Sequence, residues 1–439
     1  MRLILVGDQN MRLLQDMLSN LMRGTMGLSA FGRKHVSDLS SEPQQAVKAV
    51  LSATGEVSSL VYAENLLNVI EALDDAELAA LLAHLLDTHD INAPALAKAA
   101  TNYANAPTHG GIEIIANAAE PGWMELFRRL NATTNGTVRL VHFRERLRDL
   151  MRNHPDFRRI DSGLVRLLRN WFNPGFLVLE PIDWSTPANI LEKIIAYEAV
   201  HEITSWDDLR ARLAPEDRRC FAFFHPAMPN EPLIFVEVAL TKDIPQRIDN
   251  VLALNRDADA ASAATTAVFY SISNCQSGLA GISFGNFLIK RVAGQLRQEL
   301  PNLSRFVTLS PVPGLMKWMS AAHPELAAEF TRMDDDFWSE KAEELQTDFT
   351  RAALEYLTVS DRPDGLPNDP VARFHLGNGA FLEQLNYGGD RSPKAATQAG
   401  GLMVNYRYDL DVVEKNHEEF NKTKAVPLSS GVKALMKSL

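Results

Sequence analysis

Leu, Ile, Val and Ala recur at three- and four-residue spacing through residues 46–60, 63–73, 75–86 and 94–103, with Asp and Glu among the polar positions. That period lines the apolar residues along one side of a helix, and residues 112–130, 138–152 and 162–171 continue it. Asn135-Gly136, His154-Pro155 and Asn173-Pro174-Gly175 supply the turn chemistry expected to break the run. No stretch of strand period interrupts residues 1–173, which read as an all-helical bundle.

The pattern changes after Pro174. Short apolar, β-branched or aromatic runs at residues 176–179, 221–224, 233–240, 267–272 and 306–309 are bounded by turns and read as strands. Helical patterns at 190–202, 282–300 and 335–357 lie between or after them, so residues 174–439 form a second domain of mixed α and β structure. Residues 257–264 are a mild low-complexity stretch expected as an exposed loop or frayed helix. Residues 361–370, with three prolines, form a rigid turn-rich connection, and no internal repeat is found.

Composition narrows the function. A formal charge of −11 argues against nucleic-acid binding, which needs a basic face to neutralise phosphates. An anionic ligand must then be held locally, by backbone N–H groups, a helix N-terminus or a few cations. Cys220 and Cys275 are the two cysteines of the chain, which leaves no disulfide framework and no cysteine-rich metal site. The opening Met1-Arg2-Leu3-Ile4-Leu5-Val6-Gly7-Asp8 is too short an apolar run for a secretion signal, and no later stretch offers the roughly 20 uncharged residues of a membrane helix. A cytoplasmic protein without a membrane anchor is expected.

Three strings carry chemistry. From Tyr270 to Lys290 an apolar strand runs through a glycine-interrupted turn into an amphipathic helix, which offers unpaired N–H groups and a dipole end to a pyrophosphate. Gly281-Ile282-Ser283-Phe284-Gly285 also matches the G-x-S-x-G nucleophile elbow, so a serine hydrolase using Ser283 with His375 stands as a rival. Against it, a polar loop separates this serine from the strand end near Ser273. Ser310, in Thr308-Leu309-Ser310-Pro311-Val312-Pro313-Gly314, follows a strand and is held by two prolines that fix an extended backbone. His375 has apolar neighbours and is followed by Gly377 and Gly379, which let backbone approach a ligand closely. No set of residues has metal-ligand spacing, and no metal is expected.

Taken in order, these strings resemble the malonyl-CoA decarboxylase family. The resemblance rests on His225-Pro226 with residues 231–240, on residues 270–273 and 276–292, on Leu309-Ser310-Pro311, on Phe374-His375-Leu376 with Asn378-Gly379-Ala380, and on residues 401–408. It implies a C-terminal acetyltransferase-like domain whose mixed sheet opens between two central strands to admit the pantetheine arm. It implies Ser310 and His375 as the catalytic pair, with Ser271 and Tyr408 nearby. It puts Ala280, Gly281, Ile282, Ser283, Phe284, Gly285 and Asn286 along the coenzyme A pyrophosphate. Some members carry an acidic residue where this chain has Ser283. Malonyl-CoA and acetyl-CoA are the implied ligands, with no further cofactor, in a homotetramer built as a dimer of dimers. A thioesterase or a non-catalytic acyl-CoA sensor are the alternatives.

Overall fold

The computed structural model describes residues 39–254, 258–282, 284–330, 333–334 and 336–439, and the chain divides into two compact units, Met1–Leu168 and Arg169–Leu439. The first eight residues, Asp257 and Ser283 lie outside the described residues.

Unit 1 is helical. Its described helices are α1 (Pro43–Ser52), α2 (Glu56–Ala72), α3 (Asp75–Thr88), α4 (Ala93–Asn105), α5 (His109–Ala118), α6 (Gly122–Asn131), α7 (Gly136–Leu150) and the start of α8 (Arg158–Trp171). Asp74 and Glu77 form a capping box at the head of α3, and Arg129 donates to the carbonyls of Val50 and Ala53 at the foot of α1. Trp123, Phe127, Leu130, Leu140, Leu147 and Leu164 are buried, each such side chain stabilising the bundle by about 1.5–3 kcal/mol. Arg144 reaches Asp161 at 2.7 Å within that core.

Two helix breaks differ from the sequence expectation. The pattern over 112–130 is two helices, because Pro121 cannot continue the hydrogen-bond ladder and instead sits at the N-cap of α6. The first break falls at Gly55, the extended N-cap of α2, rather than after residue 60.

Unit 2 is built on a mixed sheet of β1 (Val178–Pro181), β2 (Arg218–Phe224), β3 (Ile234–Thr241), β4 (Thr266–Asn274), β5 (Arg305–Thr308), β6 (Ser310–Pro311), β7 (Phe381–Asn386) and β8 (Met403–Arg407). The order is β1-β2-β3-β4-β5-β8-β6, with β7 also on β8, and every pairing is antiparallel except β4 with β5.

The parallel pair sets up the site. It joins Thr266–Phe269 to Arg305–Thr308, and β4 then runs on to Asn274 with no strand partner on that side among the described residues. Opposite the divergence, β3 and β4 shift register between Glu237 and Val238, so that Tyr270 becomes the extra residue of a bulge. A bulge sharpens local twist and turns the strand away, and the sheet opens between its two central strands as the resemblance implies. Helices α9 (Ala188–Tyr197) and α10 (Trp206–Leu213) pack one face through Ile190, Leu191, Ile194 and Leu209 against Ala222 and Phe235. The pattern over 190–202 ends early because the Glu198 carboxylate accepts the N–H groups of Val200 and His201 and closes a turn.

Candidate functional site

Leu309 donates its N–H to the carbonyl of Phe269, which carries the chain one step past the end of β5 and places Ser310 against Val404 of β8. His375 comes from the last turn of α11 (Pro370–Gly377), a helix capped at its start by the buried carboxylate of Asp369. Tyr408 follows β8, tied by its N–H to the carbonyl of Phe306.

These three elements converge. Ser310 Oγ stands 3.1 Å from His375 Nε2, and His375 Nδ1 stands 2.8 Å from the Tyr408 hydroxyl. Ser310 donates its own proton to Thr308 Oγ1 at 2.9 Å, so the bond to His375 needs the proton on Nε2; that tautomer is assigned from the network. Nδ1 then accepts from Tyr408. The Tyr406 ring stacks on the imidazole with centroids 4.7 Å apart. Ser310, His375, Tyr406 and Tyr408 are all buried.

Burial sets the electrostatics. It pushes His375 down to about 3, so the ring is neutral across the ordinary pH range, and it pushes the Tyr408 phenol well above its usual value. A neutral imidazole aligned by a phenol at Nδ1 differs from the serine-hydrolase arrangement, in which a carboxylate at Nδ1 stabilises an imidazolium.

The glycine loop is described except at Ser283. After β4 come a short 3₁₀ turn, Ser277–Leu279, then Ala280 and an exposed Gly281 at φ +83°, and the helix α12 (Gly285–Glu299). Arg169 donates to the carbonyl of Gly281 at 3.1 Å, and Phe284 is buried edge-on against Phe172. Ile282 is half-buried, and Asn286 lies in the first turn of α12.

Of the two glycines after His375, the expectation for Gly379 is corrected. A side chain at Gly377 would meet open space, whereas at Gly379, with φ +86°, a Cβ would run into the carbonyl of Val413. Gly379 is required by packing against the protein's own backbone.

Sequence reasoning passed over Thr308, Tyr406 and Glu198. Tyr406 and Tyr408 are two residues apart, the strand period that puts both on one face, and that spacing was the available signal. A cavity of about 1020 Å³ lies elsewhere, lined by Phe381, Glu383, Asn416 and Lys433 among others, and holds neither Ser310 nor His375. It is open to solvent. Among the described residues no group of three His, Cys, Asp or Glu could hold a metal ion, and no helix is long and apolar enough to cross a membrane.

Residues 175–439 match the malonyl-CoA decarboxylase C-terminal domain, and residues 89–172 match the malonyl-CoA decarboxylase N-terminal domain. The mitochondrial malonyl-CoA decarboxylase of Anser anser anser is 35% identical over 347 residues, spanning 71% of this chain and 69% of that protein. The Rattus norvegicus enzyme is 33% identical, over 73% and 72%. The crystal structure of malonyl-CoA decarboxylase from Agrobacterium vitis superposes with a TM-score of 0.85 at 49% identity, over 90% of this chain and 99% of that one. That from Rhodopseudomonas palustris gives 0.84 at 46%, over 90% and 98%. With a family match over more than half its length and these relatives, the chain belongs to the malonyl-CoA decarboxylase family of carboxy-lyases.

Proposed function

We propose that this protein converts malonyl-CoA to acetyl-CoA and carbon dioxide at Ser310 and His375. The observation that carries the assignment is the buried Tyr408–His375–Ser310 chain of hydrogen bonds beside the point where β4 and β5 separate.

Losing carbon dioxide from a malonyl thioester leaves an enolate. The enzyme must hold the carboxylate out of the thioester plane, stabilise charge on the thioester oxygen and return a proton to the α-carbon. Ser310, on releasing Thr308, anchors the carboxylate. His375 delivers the Nε2 proton to the enolate carbon as Nδ1 takes the phenolic proton of Tyr408, and solvent restores that proton when product leaves. An imidazolium is not needed, which suits a ring that burial keeps neutral.

The backbone from Ala280 to Asn286, with the N-terminus of α12, receives the pyrophosphate, and the remote binding energy of coenzyme A fixes the reacting end. The N-terminal part, residues 1–173, serves association into a dimer of dimers. Light scattering at micromolar concentration is expected to give the tetramer mass; a monomer removes that assignment.

The test is a mass-resolved product assay on purified protein with malonyl-CoA and no added metal, biotin or pyridoxal. Acetyl-CoA and carbon dioxide are expected. Malonate with free coenzyme A would install the hydrolase in its place, and binding without turnover would leave a sensor.

A further inference from the structure

Glu198 lies at the C-cap of α9 with 8% of its surface exposed, and four donors converge on its carboxylate. Ser271 Oγ approaches its two oxygens at 2.8 and 2.7 Å, Ser273 Oγ donates at 3.2 Å, and the N–H groups of Val200 and His201 donate at 2.8 Å each. Ser273 Oγ in turn accepts the N–H of Ala199. Both serines sit on the stretch of β4 that has lost its β5 partner.

The register defines where Ser271 stands. Phe269 and Thr308 are the last paired residues of β4 and β5; Ser271 is two positions past one, and Ser310 two past the other. The two hydroxyls therefore belong to the two diverging strands. They differ in what they can offer. Ser310 has a histidine N–H behind it and a proton it can redirect from the neutral Thr308 hydroxyl to the substrate. Ser271 has one proton, and a buried carboxylate holds it.

We propose that Glu198 is a positioning residue for the substrate arm: by holding the Ser271 proton, it leaves Ser271 Oγ able only to accept, and the group it accepts is the pantetheine amide N–H nearest the thioester. This rests on the decarboxylase reading above. An ionised malonyl thioester carries oxygens and C–H bonds but no N–H or O–H, so an acceptor-only hydroxyl has no partner on it. The first donor along the arm is the amide two methylenes from sulfur. Ser310 takes the carboxylate on one strand while Ser271 takes the amide on the other, which fixes the thioester between them.

The experiment compares wild type, Glu198→Gln, Ser271→Ala and the double variant on three substrates: malonyl-CoA, the malonyl thioester of N-acetylcysteamine, which keeps that amide, and the malonyl thioester of ethanethiol, which lacks it. Glutamine keeps the shape of Glu198 but places an N–H₂ against the serines. Each single variant is expected to lower kcat/KM about tenfold on the two amide-bearing substrates, the worth of one hydrogen bond, mainly through KM. No loss is expected on the ethanethiol thioester, and the double variant should be no worse than Ser271→Ala. Equal losses on all three substrates, or additive losses on malonyl-CoA, overturn the proposal. Should Glu198→Gln fail to fold by circular dichroism, Ser271→Ala decides: a loss confined to amide-bearing substrates supports the assignment, and a uniform loss or none removes it. If wild type does not decarboxylate malonyl-CoA, this proposal falls with the reading beneath it. Turnover by wild type with uniform penalties removes the proposal alone.

Discussion

Acidification probes the burial of His375 directly. Its folded value of about 3 lies below the ordinary 6.5 because the ring is desolvated, and a shift of that size makes charging the ring in place cost about 5 kcal/mol. Between those values the unfolded chain binds a proton that the folded chain refuses. Stability therefore falls as pH falls from 6.5 towards 3, by about 1.4 kcal/mol per pH unit from this one residue, and levels off below. From pH 6.5 to 5 the loss is about 2 kcal/mol. His201, pushed down to about 4 by burial, contributes in the same direction, so the comparison must isolate His375. Urea unfolding of wild type and His375→Gln at pH 7 and pH 5 does so, since everything but His375 cancels between them. Ring-labelled histidine spectra, with the His375 resonance identified by its absence in the variant, should show no titration down to pH 4. A midpoint between 6 and 7, or parallel pH dependences of stability in the two proteins, would falsify the buried neutral ring.

Three further outcomes are expected. His375→Ala should lose about two to four orders of magnitude in kcat, the usual worth of a general acid, while calorimetry shows coenzyme A binding retained; Ser310→Ala should likewise reduce kcat more than binding. Tyr408→Phe removes the donor to Nδ1 and should lower kcat about tenfold with KM little changed; an unaltered kcat would mean that the tautomer is held some other way. Gly281→Val forces a β-branched residue into φ +83° and should weaken coenzyme A affinity while single-turnover chemistry at saturation survives; unchanged affinity would dissociate the loop from the pyrophosphate.

The central strands could be read because they are buried on both faces and rich in Val, Ile and Phe; β2, β3, β4 and β5 each extend an apolar run by a few residues at most. β8 could not. Its Met403-Val404-Asn405-Tyr406-Arg407 carries a polar residue in its middle, and Asn405 is tolerated at full burial only because it donates to the Thr308 carbonyl and accepts from Asn386. Such partners are far away in sequence. β6 is two residues long and includes Pro311, below any periodic signal. The same blindness applies at the site: Ser310 and His375 are 65 residues apart, and nothing local to either string says that they meet. The resemblance to a family supplied that pairing, whereas Thr308 and Glu198, whose roles lie in holding another side chain's proton, left no mark in spacing or composition.

The partner at Nδ1 separates two chemistries that one serine–histidine pair could otherwise serve. Nucleophilic attack by Ser310 would require His375 to take its proton and become an imidazolium, a charge that burial penalises and that Tyr408, a neutral phenol rather than a carboxylate, cannot stabilise. A ring that starts with its proton on Nε2 faces no such step. In the decarboxylation proposed above it would give that proton to a carbanion and receive another through Nδ1, with no added positive charge in the pocket. With a phenol, and among the described residues no carboxylate, at Nδ1, the arrangement favours proton donation over thioester cleavage, which is the discrimination an enzyme needs if it is to handle a thioester without hydrolysing it.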